Sequence, residues 1–138
     1  KNKDSKEFLE EVLKKYHIIN DIFYNEYGKP YLKNSPYYFN ISHSRNYTVI
    51  CISDCEVGVD IEYITYRKNL INRIATKDEI KNIKNEHDWT KLWVKKESYA
   101  KCMGLGLSYG LNNIDTLKIK DFKIKKYKNF YISIYLKK

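Results

Sequence analysis

The sequence contains few of the residues that characterise several protein classes. Its 138 residues include three cysteines, Cys51, Cys55 and Cys102, and none of them forms a Cys-x-x-Cys pair. An odd number of cysteines at this spacing speaks against a disulfide framework or a zinc ribbon and favours a reducing compartment. No apolar run of roughly 18 residues, the length that crosses a bilayer, is present. The polar first residues do not resemble a secretory signal, so we expect a cytoplasmic protein.

Arginine is also rare, with 3 copies against 23 lysines, and the formal net charge is +9. Eight lysines and two aspartates fall within residues 115–138, so this segment carries +6 of that charge. A positive chain favours an acidic partner, which could be nucleic acid, a membrane surface, a phosphorylated small molecule or an acidic protein. Isoleucine, lysine, asparagine and tyrosine, whose codons are A/T-rich, make up almost half of the chain. Because base composition explains much of the charge equally well, the charge alone selects none of these partners.

Glycine and proline are sparse, at five and two copies, and no internal repeat or linker divides the chain. We therefore expect a single domain over residues 1–138. The apolar spacing of residues 5–16 predicts an amphipathic helix. Thr76 and Glu79 form a capping box for a second helix that reaches about Lys84.

A longer helix is expected from Asp88, as its N-cap, to Gly104, because glycine readily terminates helices. The remaining segments have the composition or the alternation of strands. Strands are expected at residues 18–24, 37–42, 47–53, 57–62, 117–120 and 130–136. The strands at 47–53 and 57–62 flank Asp54-Cys55-Glu56, so we expect them to form a hairpin. The strands at 117–120 and 130–136 alternate polar and apolar residues, so we expect each to have one solvent-exposed face. This order of elements predicts an α+β fold, with a mostly antiparallel sheet and helices packed on one side.

The most informative segment is VGVDIE at residues 57–62. In a strand its valines and isoleucine face the core, while Gly58, Asp60 and Glu62 face the other way. Two carboxylates on one face, with Cα atoms roughly 6–7 Å apart, suit Mg²⁺, which takes one or two carboxylates together with water and phosphate. Gly58 would leave room there for a ligand. The alternative is a strand edge with two solvated acids.

Two further segments carry candidate site residues. Glu97 and Lys101 lie four residues apart and share one helix face, where they could bind a metal ion and a phosphate side by side. The alternative is a surface ion pair. In FNISHS, residues 39–44, the hydroxyls and His43 could donate to phosphate oxygens, or His43 could be structural. His17 and His87 receive no role.

Taken together and in order, five segments resemble the 4′-phosphopantetheinyl transferase superfamily. They are Gly28-Lys29-Pro30, FNISHS at 39–44, VGVDIE at 57–62, residues 93–101 and Gly104-Leu105-Gly106-Leu107. The first two segments make the chain similar to the Sfp-like branch of the family. The chain resembles the second half of an Sfp-like protein together with the end of the first half, including the linker helix and hairpin that precede the second half. Enzymes of this family move the phosphopantetheine arm of coenzyme A (CoA) to a serine of an acyl- or peptidyl-carrier protein and release 3′,5′-ADP.

The resemblance implies roles for individual residues. Asp60, Glu62 and Glu97 would hold Mg²⁺, or Mn²⁺ in its place, against the CoA pyrophosphate. Glu97 would also deprotonate the carrier serine, directly or through water, and Lys101 would stabilise the departing ADP. The implied CoA contacts are Gly28, Lys29, Pro30, Asn40, Ser42, His43, Lys96 and Lys101.

The implied partners are CoA and an acidic carrier protein, with no nucleic acid and no membrane. The chain departs from the family in one respect. Sfp-like proteins generally contain two similar halves with CoA between them, and the basic residues that the first half places near the CoA 3′-phosphate have no match here. Either the rest of the chain is missing, or a second copy completes the site as a homo-oligomer, or activity is lost. Two alternative functions stay open: a basic module that binds single-stranded nucleic acid through lysines and tyrosines, and an inactive relative that binds CoA or a carrier.

Overall fold

The computed structural model describes residues 4–105 and 109–138. Its helices are α1 (Ser5–Lys15), α2 (Ile71–Ile74), α3 (Lys77–Ile80) and α4 (Glu86–Cys102), and short 3₁₀ turns span Lys68–Leu70, Leu111–Asn113 and Thr116–Lys118. The strands are β1 (Ile22–Tyr24), β2 (Pro30–Leu32), β3 (Tyr38–Ser44), β4 (Tyr47–Ser53), β5 (Glu56–Tyr63), β6 (Lys123–Tyr127) and β7 (Phe130–Lys137). Across both described ranges, no helix combines the length and the apolar character needed to cross a membrane.

The strands form antiparallel pairs in a β1–β2 ribbon, a β3–β4 hairpin and a three-stranded sheet of order β5–β7–β6. The expectation of an α+β fold with a mostly antiparallel sheet is therefore confirmed. The expected hairpin between residues 47–53 and 57–62 is wrong. Strand β4 turns back on β3 through Arg45, whose φ of 54° suits a tight turn, while β5 pairs with β7, which places Asp60 opposite Ser133.

The three-stranded sheet has one apolar face and one face covered by helix α4. Val57, Val59 and Ile61 are at most 1% exposed, so the prediction that they face the core is confirmed. On the other face, a Cβ added at Gly58 would lie 1.9 Å from the backbone oxygen of Ser98. Only glycine allows this close approach of helix to strand. The space that Gly58 was expected to leave for a ligand is therefore filled by α4.

Helix α4 begins and ends through identifiable caps. Its N-cap is Asn85, whose side chain accepts a hydrogen bond from the Asp88 N–H at 2.9 Å. Asp88, the expected N-cap, lies inside the first turn instead, and its carboxylate accepts from the Lys84 N–H at 3.0 Å. The helix stops just before Gly104, whose φ of 68° confirms the predicted left-handed terminator.

The capping box of Thr76 and Glu79 is present, as predicted. Helix α3 nevertheless ends at Ile80, short of Lys84. Helix α1 confirms the amphipathic helix expected over residues 5–16. Its buried leucines pack beneath β3 in a second apolar cluster that comprises Leu9, Leu13, Ile18, Leu32 and Phe39.

Two expectations for the C-terminal segment are wrong. Residues 117–120 do not form a strand, because the Asp115 side chain accepts from the Leu117 N–H at 3.1 Å and caps a 3₁₀ turn. The polar face of β7 is not exposed to solvent either, since Tyr131 and Ser133 are only 6% and 0% exposed. They lie under α4, where the Ser133 and Ser98 hydroxyl oxygens are 2.9 Å apart.

Candidate active site

Strands β3 and β5 are joined by three polar side chains of β3. Asn40 Oδ1 accepts a hydrogen bond from the Val59 N–H at 2.9 Å. Two residues further along, Ser42 Oγ accepts from the Ile61 N–H at 3.2 Å, and after two more, Ser44 Oγ accepts from the Tyr63 N–H at 3.3 Å. Both strands advance by two residues at each step, so β3 and β5 run side by side in the same direction. We call Asn40, Ser42 and Ser44 the side-chain ladder.

The two serines of the ladder also orient the acidic side chains of β5. Ser42 Oγ donates to Asp60 Oδ1 at 3.0 Å, and Ser44 Oγ donates to Glu62 Oε1 at 3.3 Å. A hydroxyl group has one proton to donate. In this structure the Ser42 hydroxyl donates to Asp60 and so positions a carboxylate. Its expected contact with a CoA phosphate stays a prediction.

Lys101 reaches from helix α4 to the same place. Its ammonium donates to the carbonyl oxygens of Ile41, at 3.1 Å, and Val59, at 3.0 Å. It also forms an ion pair with Asp60, with Nζ 3.6 Å from Oδ1. Because an ammonium has three protons, one remains for Asp60 or for a phosphate oxygen. Lys101 thus places a positive charge where β3, β5 and α4 meet.

Asp60 is a buried carboxyl in an unusual state. Burial raises its pKa from 3.8 to about 7; attraction by Lys101 opposes this rise, and repulsion by Glu97 and Glu62 adds to it. Its second oxygen, Oδ2, is buried and has no hydrogen-bond partner among the described residues. Burying a carboxylate oxygen without a hydrogen-bond partner costs free energy, so such an oxygen needs an explanation. Asp60 Oδ2 is therefore a candidate ligand of a metal ion.

Glu97 lies one helical turn before Lys101 and shares its electrostatic environment. Burial raises the pKa of Glu97, with attraction by Lys101 lowering it and repulsion by Glu62 raising it further. The structure therefore brings Asp60, Glu62, Glu97 and Lys101 into one interacting group, which we call the acid–lysine cluster.

The acid–lysine cluster offers carboxylate oxygens as possible ligands of a metal ion. Within residues 4–105 and 109–138, no three His, Cys, Asp or Glu side chains are arranged to hold one. Mg²⁺, however, needs only one or two carboxylates, since waters and substrate phosphates complete its octahedron. The unpaired Oδ2 of Asp60, with Glu97 and Glu62 close enough to raise its pKa, fits that smaller requirement.

A cleft of about 280 Å³ opens on one side of the acid–lysine cluster. We call it the loop cleft, because the turn before β2 forms its wall, with Gly28 at a φ of 90°. Its lining includes five residues expected to contact CoA: Gly28, Lys29, Pro30, Asn40 and Lys101. These residues, which are up to 73 positions apart in sequence, meet in one cavity.

The Lys29 ammonium is engaged inside the protein. It forms an ion pair with Glu56 Oε2 at 3.0 Å and donates to the carbonyl oxygens of Cys102, at 2.9 Å, and Val57, at 3.2 Å. All three ammonium protons are used, so Lys29 joins the loop to the end of α4 and the start of β5. Its side chain lines the loop cleft without offering a free proton.

A second cleft, of about 360 Å³, lies further along β3 and β5, at the Glu62 end of the acid–lysine cluster. We call it the polar cleft. Its lining residues are His43, Ser44, Arg45, Glu62, Tyr63, Thr65 and Arg67. His43, a predicted phosphate contact, is exposed here, about 10 Å along β3 from Asn40 by strand rise. The acid–lysine cluster thus lies between two clefts.

Comparison with known proteins shows the family of this chain. A family model described as the 4′-phosphopantetheinyl transferase superfamily matches residues 56–136. The chain belongs to this superfamily. It is 32% identical over 123 residues to the 4′-phosphopantetheinyl transferase gsp of Aneurinibacillus migulanus, covering 80% of this chain and 50% of that protein. It is 30% identical over 107 residues to the 4′-phosphopantetheinyl transferase Sfp of Bacillus subtilis, covering 72% and 48% respectively.

A third relative, a 4′-phosphopantetheinyl transferase of Bacillus pumilus, is 34% identical over 94 residues, which cover 62% of this chain and 40% of that protein. The resemblance to the superfamily and to its Sfp-like members is therefore confirmed. The chain spans about half the length of the curated relatives that it matches.

Lys96, which the family resemblance implies as a CoA contact, lies away from the acid–lysine cluster. Its side chain is 0% exposed, and its ammonium contacts Glu79 Oε1 at 2.6 Å and the Leu111 carbonyl oxygen at 3.1 Å. The other carboxylate oxygen of Glu79 accepts from the Thr116 N–H at 2.8 Å and hydroxyl at 2.6 Å. Burial raises the pKa of Glu79, but the bonds from Lys96 and Thr116 outweigh it and hold the pKa below its usual value. Lys96 therefore ties α4 to α3 instead of facing a ligand.

Sequence reasoning missed several residues of this site. Ser44 repeats the spacing of Asn40 and Ser42, and polar residues at alternate positions of an otherwise apolar strand could have indicated a ladder. Arg45 and Arg67 belong to none of the motifs found in the sequence, although arginine is rare in this chain. Gly106 and Leu107, the end of the fifth family segment, lie outside the described residues.

Proposed function

We propose that this chain transfers the 4′-phosphopantetheine arm of CoA to a serine of an acyl- or peptidyl-carrier protein, with Mg²⁺ as cofactor. One observation carries the proposal: the buried Asp60–Lys101 pair, with Glu62 and Glu97 beside it, lies between two clefts. Membership of the superfamily supports the general reaction. The donor, the metal and the acceptor are parts of the proposal.

The nucleotide portion of CoA is assigned to the loop cleft. Gly28 has no side chain, which leaves the backbone accessible, and, its chain neighbours aside, no atom of the described residues lies within 4 Å of the place where its Cβ would be. Asn40 and Lys101 also line this cleft. Lys101 can therefore stabilise the negative charge that develops on the departing 3′,5′-ADP, as a fixed cation beside a leaving phosphate does. His43 is assigned to a phosphate oxygen on the far side of the cluster.

Of the three carboxylates expected to hold Mg²⁺, Asp60 would hold it together with one neighbour, Glu62 or Glu97. Bound there, the ion would neutralise charge on the pyrophosphate oxygens. Ser42 and Ser44 keep Asp60 and Glu62 in place through their hydroxyl hydrogen bonds.

Glu97 is assigned as the group that accepts the proton of the carrier serine. A base works best when its pKa lies near the pH of the reaction, and burial raises the pKa of Glu97 towards that range. The serine oxygen forms a bond to the phosphorus next to pantetheine. The bond from that phosphorus to the bridging oxygen breaks, and the oxygen leaves with 3′,5′-ADP.

The test is mass spectrometry of an apo carrier protein incubated with CoA, Mg²⁺ and the chain. We expect a mass gain of one phosphopantetheine group, which Asp60→Asn and Glu97→Gln abolish. The matched controls are exposed acids, Asp54→Asn and, on the same helix as Glu97, Glu86→Gln, which should retain transfer.

Two results would contradict the proposal. One is the absence of a mass gain with both acyl- and peptidyl-carrier proteins together with no binding of CoA; the other is transfer that is indifferent to Asp60→Asn. Binding of CoA without transfer would identify an inactive relative instead. Specific activity that rises with protein concentration would show that a second copy completes the site.

A further inference from the structure

The polar cleft holds an unusual concentration of one residue type. The chain has 3 arginines among 26 basic residues, and two of them, Arg45 and Arg67, line this cleft. Both are exposed. Arginine differs from lysine in offering a planar, multiply donating group that pairs with carboxylates and phosphates. Two arginines at one cleft, in a chain that otherwise uses lysine, point to an anionic partner there.

Aromatic rings lie against the cations of Arg45 and Lys128. The Arg45 guanidinium lies 3.7 Å from the centroid of the Tyr63 ring. Tyr63 packs on Phe130, at 5.5 Å between ring centroids, and Phe130 packs on Tyr47 at 5.1 Å. Lys128 donates to the Tyr47 hydroxyl at 3.0 Å. Stacking leaves the positive charges available, since no salt bridge to Arg45 or Lys128 occurs within the described part of the chain.

These contacts, together with the ring contact of Tyr127 with Tyr47 and the lining of the polar cleft, define a surface at the turns that follow β3, β5 and β6. We call it the arginine–tyrosine surface; it consists of Arg45, Tyr47, Tyr63, Arg67, Tyr127 and Lys128. Arginine and tyrosine are the residue types, with tryptophan, that most often dominate binding energy at protein interfaces. The surface adjoins the acid–lysine cluster through Glu62, which lines the same cleft as Arg45 and Arg67.

The chemistry of transfer indicates what approaches from this side. In phosphoryl-type displacement the attacking and leaving oxygens lie roughly in line. With the nucleotide in the loop cleft, the leaving group departs past Lys101, so the attacking oxygen enters from the opposite side of the cluster. That side is the polar cleft. The order along the fold is loop cleft, Lys101, Asp60, Glu62 and then the two arginines.

We propose that the arginine–tyrosine surface is the docking surface for an acidic carrier protein, which presents its serine to Glu62 and Glu97 through the polar cleft. This inference rests on the proposed function, because the in-line argument assumes the nucleotide in the loop cleft. Arg45 and Arg67 contact carrier carboxylates, and Tyr63 supports Arg45 from beneath.

The test measures binding of the carrier separately from binding of CoA. The probes are an apo acyl-carrier protein and an apo peptidyl-carrier protein, each with its acceptor serine replaced by alanine and each carrying a fluorescent label. The double variant Arg45→Ala/Arg67→Ala should weaken carrier binding by about tenfold or more, as loss of central charged contacts does. Arg45→Lys, which keeps the charge but not the planar group, should give a smaller loss.

The matched control is Lys14→Ala, which removes an exposed positive charge on α1. It should change carrier binding less than about twofold, because one distant, solvent-screened charge contributes little. Circular dichroism and CoA affinity should be unchanged in the double variant. In transfer assays, the KM for the carrier should rise while the KM for CoA stays the same.

Several results would overturn the docking surface. They are equal effects of the double variant and Lys14→Ala, a loss of CoA affinity with carrier affinity retained, no carrier binding by the native chain, or a labelled single-stranded oligonucleotide as the ligand that the double variant loses. A native chain that binds the carrier through Arg45 and Arg67 yet shows no transfer would support the surface and contradict the proposed function, so the two failures are distinguishable.

Discussion

Replacing Asp60 with asparagine should change how the stability of the fold depends on pH. Burial raises the pKa of Asp60 from 3.8 to about 7. Between these values the folded chain holds a proton that the unfolded chain releases, so the free energy of unfolding falls as the pH rises from about 4 to about 7. Below that window Asp60 is protonated in both states, and above it the full cost of ionisation is present.

The size of the effect follows from the two pKa values. Their difference, 7 − 3.8, is about 3, and at about 1.4 kcal/mol for each pKa unit this corresponds to roughly 4 kcal/mol. Because asparagine does not ionise, the free energy of unfolding of the native chain should fall relative to Asp60→Asn by up to about 4 kcal/mol between pH 4 and pH 8.

The assay is denaturant unfolding at steps of pH with a chelator present. The exposed Asp54→Asn is the control, and its curve should run parallel to that of the native chain. If the curve for Asp60→Asn were parallel as well, Asp60 would have no raised pKa, and the reasoning from burial would be refuted. Adding Mg²⁺ at pH 7 should then stabilise the native chain but not Asp60→Asn, since an ion bound at the carboxylate favours its charged form.

Three further substitutions test the packing around the site by denaturant unfolding. Ser42→Ala leaves a buried N–H without its acceptor and should cost about 2–4 kcal/mol, whereas Ser133→Ala, another buried serine of the same face, should cost about 1 kcal/mol or less; equal losses would contradict a special role for the ladder. Gly58→Ala should cost at least about 3 kcal/mol, because its Cβ would overlap the backbone of α4, and an unchanged midpoint would contradict that close approach. Lys96→Met should cost about 3–5 kcal/mol by leaving Glu79 charged and unpaired in the interior, and a second change, Glu79→Gln, should recover part of it; no recovery would show that the ion pair is not the cause.

Local chemistry made much of the fold predictable. The caps at Thr76 and Gly104 depend on residues within a few positions of each other, so the sequence displays them directly. The two faces of β5 follow from strand alternation, which correctly placed Asp60 and Glu62 together. These features need no knowledge of distant contacts.

Pairing between distant segments was not predictable in the same way. The adjacent segments 47–53 and 57–62 predict a hairpin, but β5 pairs with β7, more than 65 residues further on. The alternation of polar and apolar residues over 130–136 predicts a solvent-exposed polar face, whereas Tyr131 and Ser133 of that face are buried beneath α4. Only the packing of the helix, made close by Gly58, reveals this.

The candidate site shows the same division. Helical spacing correctly places Glu97 and Lys101 on one face, four residues apart. Lys96, which precedes Glu97 by one residue, must point about 100° away from it around the helix, and the structure places it in a buried ion pair with Glu79. Adjacency within a motif therefore did not indicate a shared ligand. Arg45 and Arg67 could not be assigned either, because their cleft forms only when β3, β5 and the following loop come together.

The central claim is that the acid–lysine cluster binds the pyrophosphate of CoA through a divalent cation. A crystal structure of the chain with CoA and Mn²⁺, using the anomalous signal of manganese, tests it most directly. We predict manganese bonded to Asp60 Oδ2 and the nucleotide in the loop cleft next to Lys101. Manganese bound away from Asp60, or a nucleotide lying outside the loop cleft, would contradict the account.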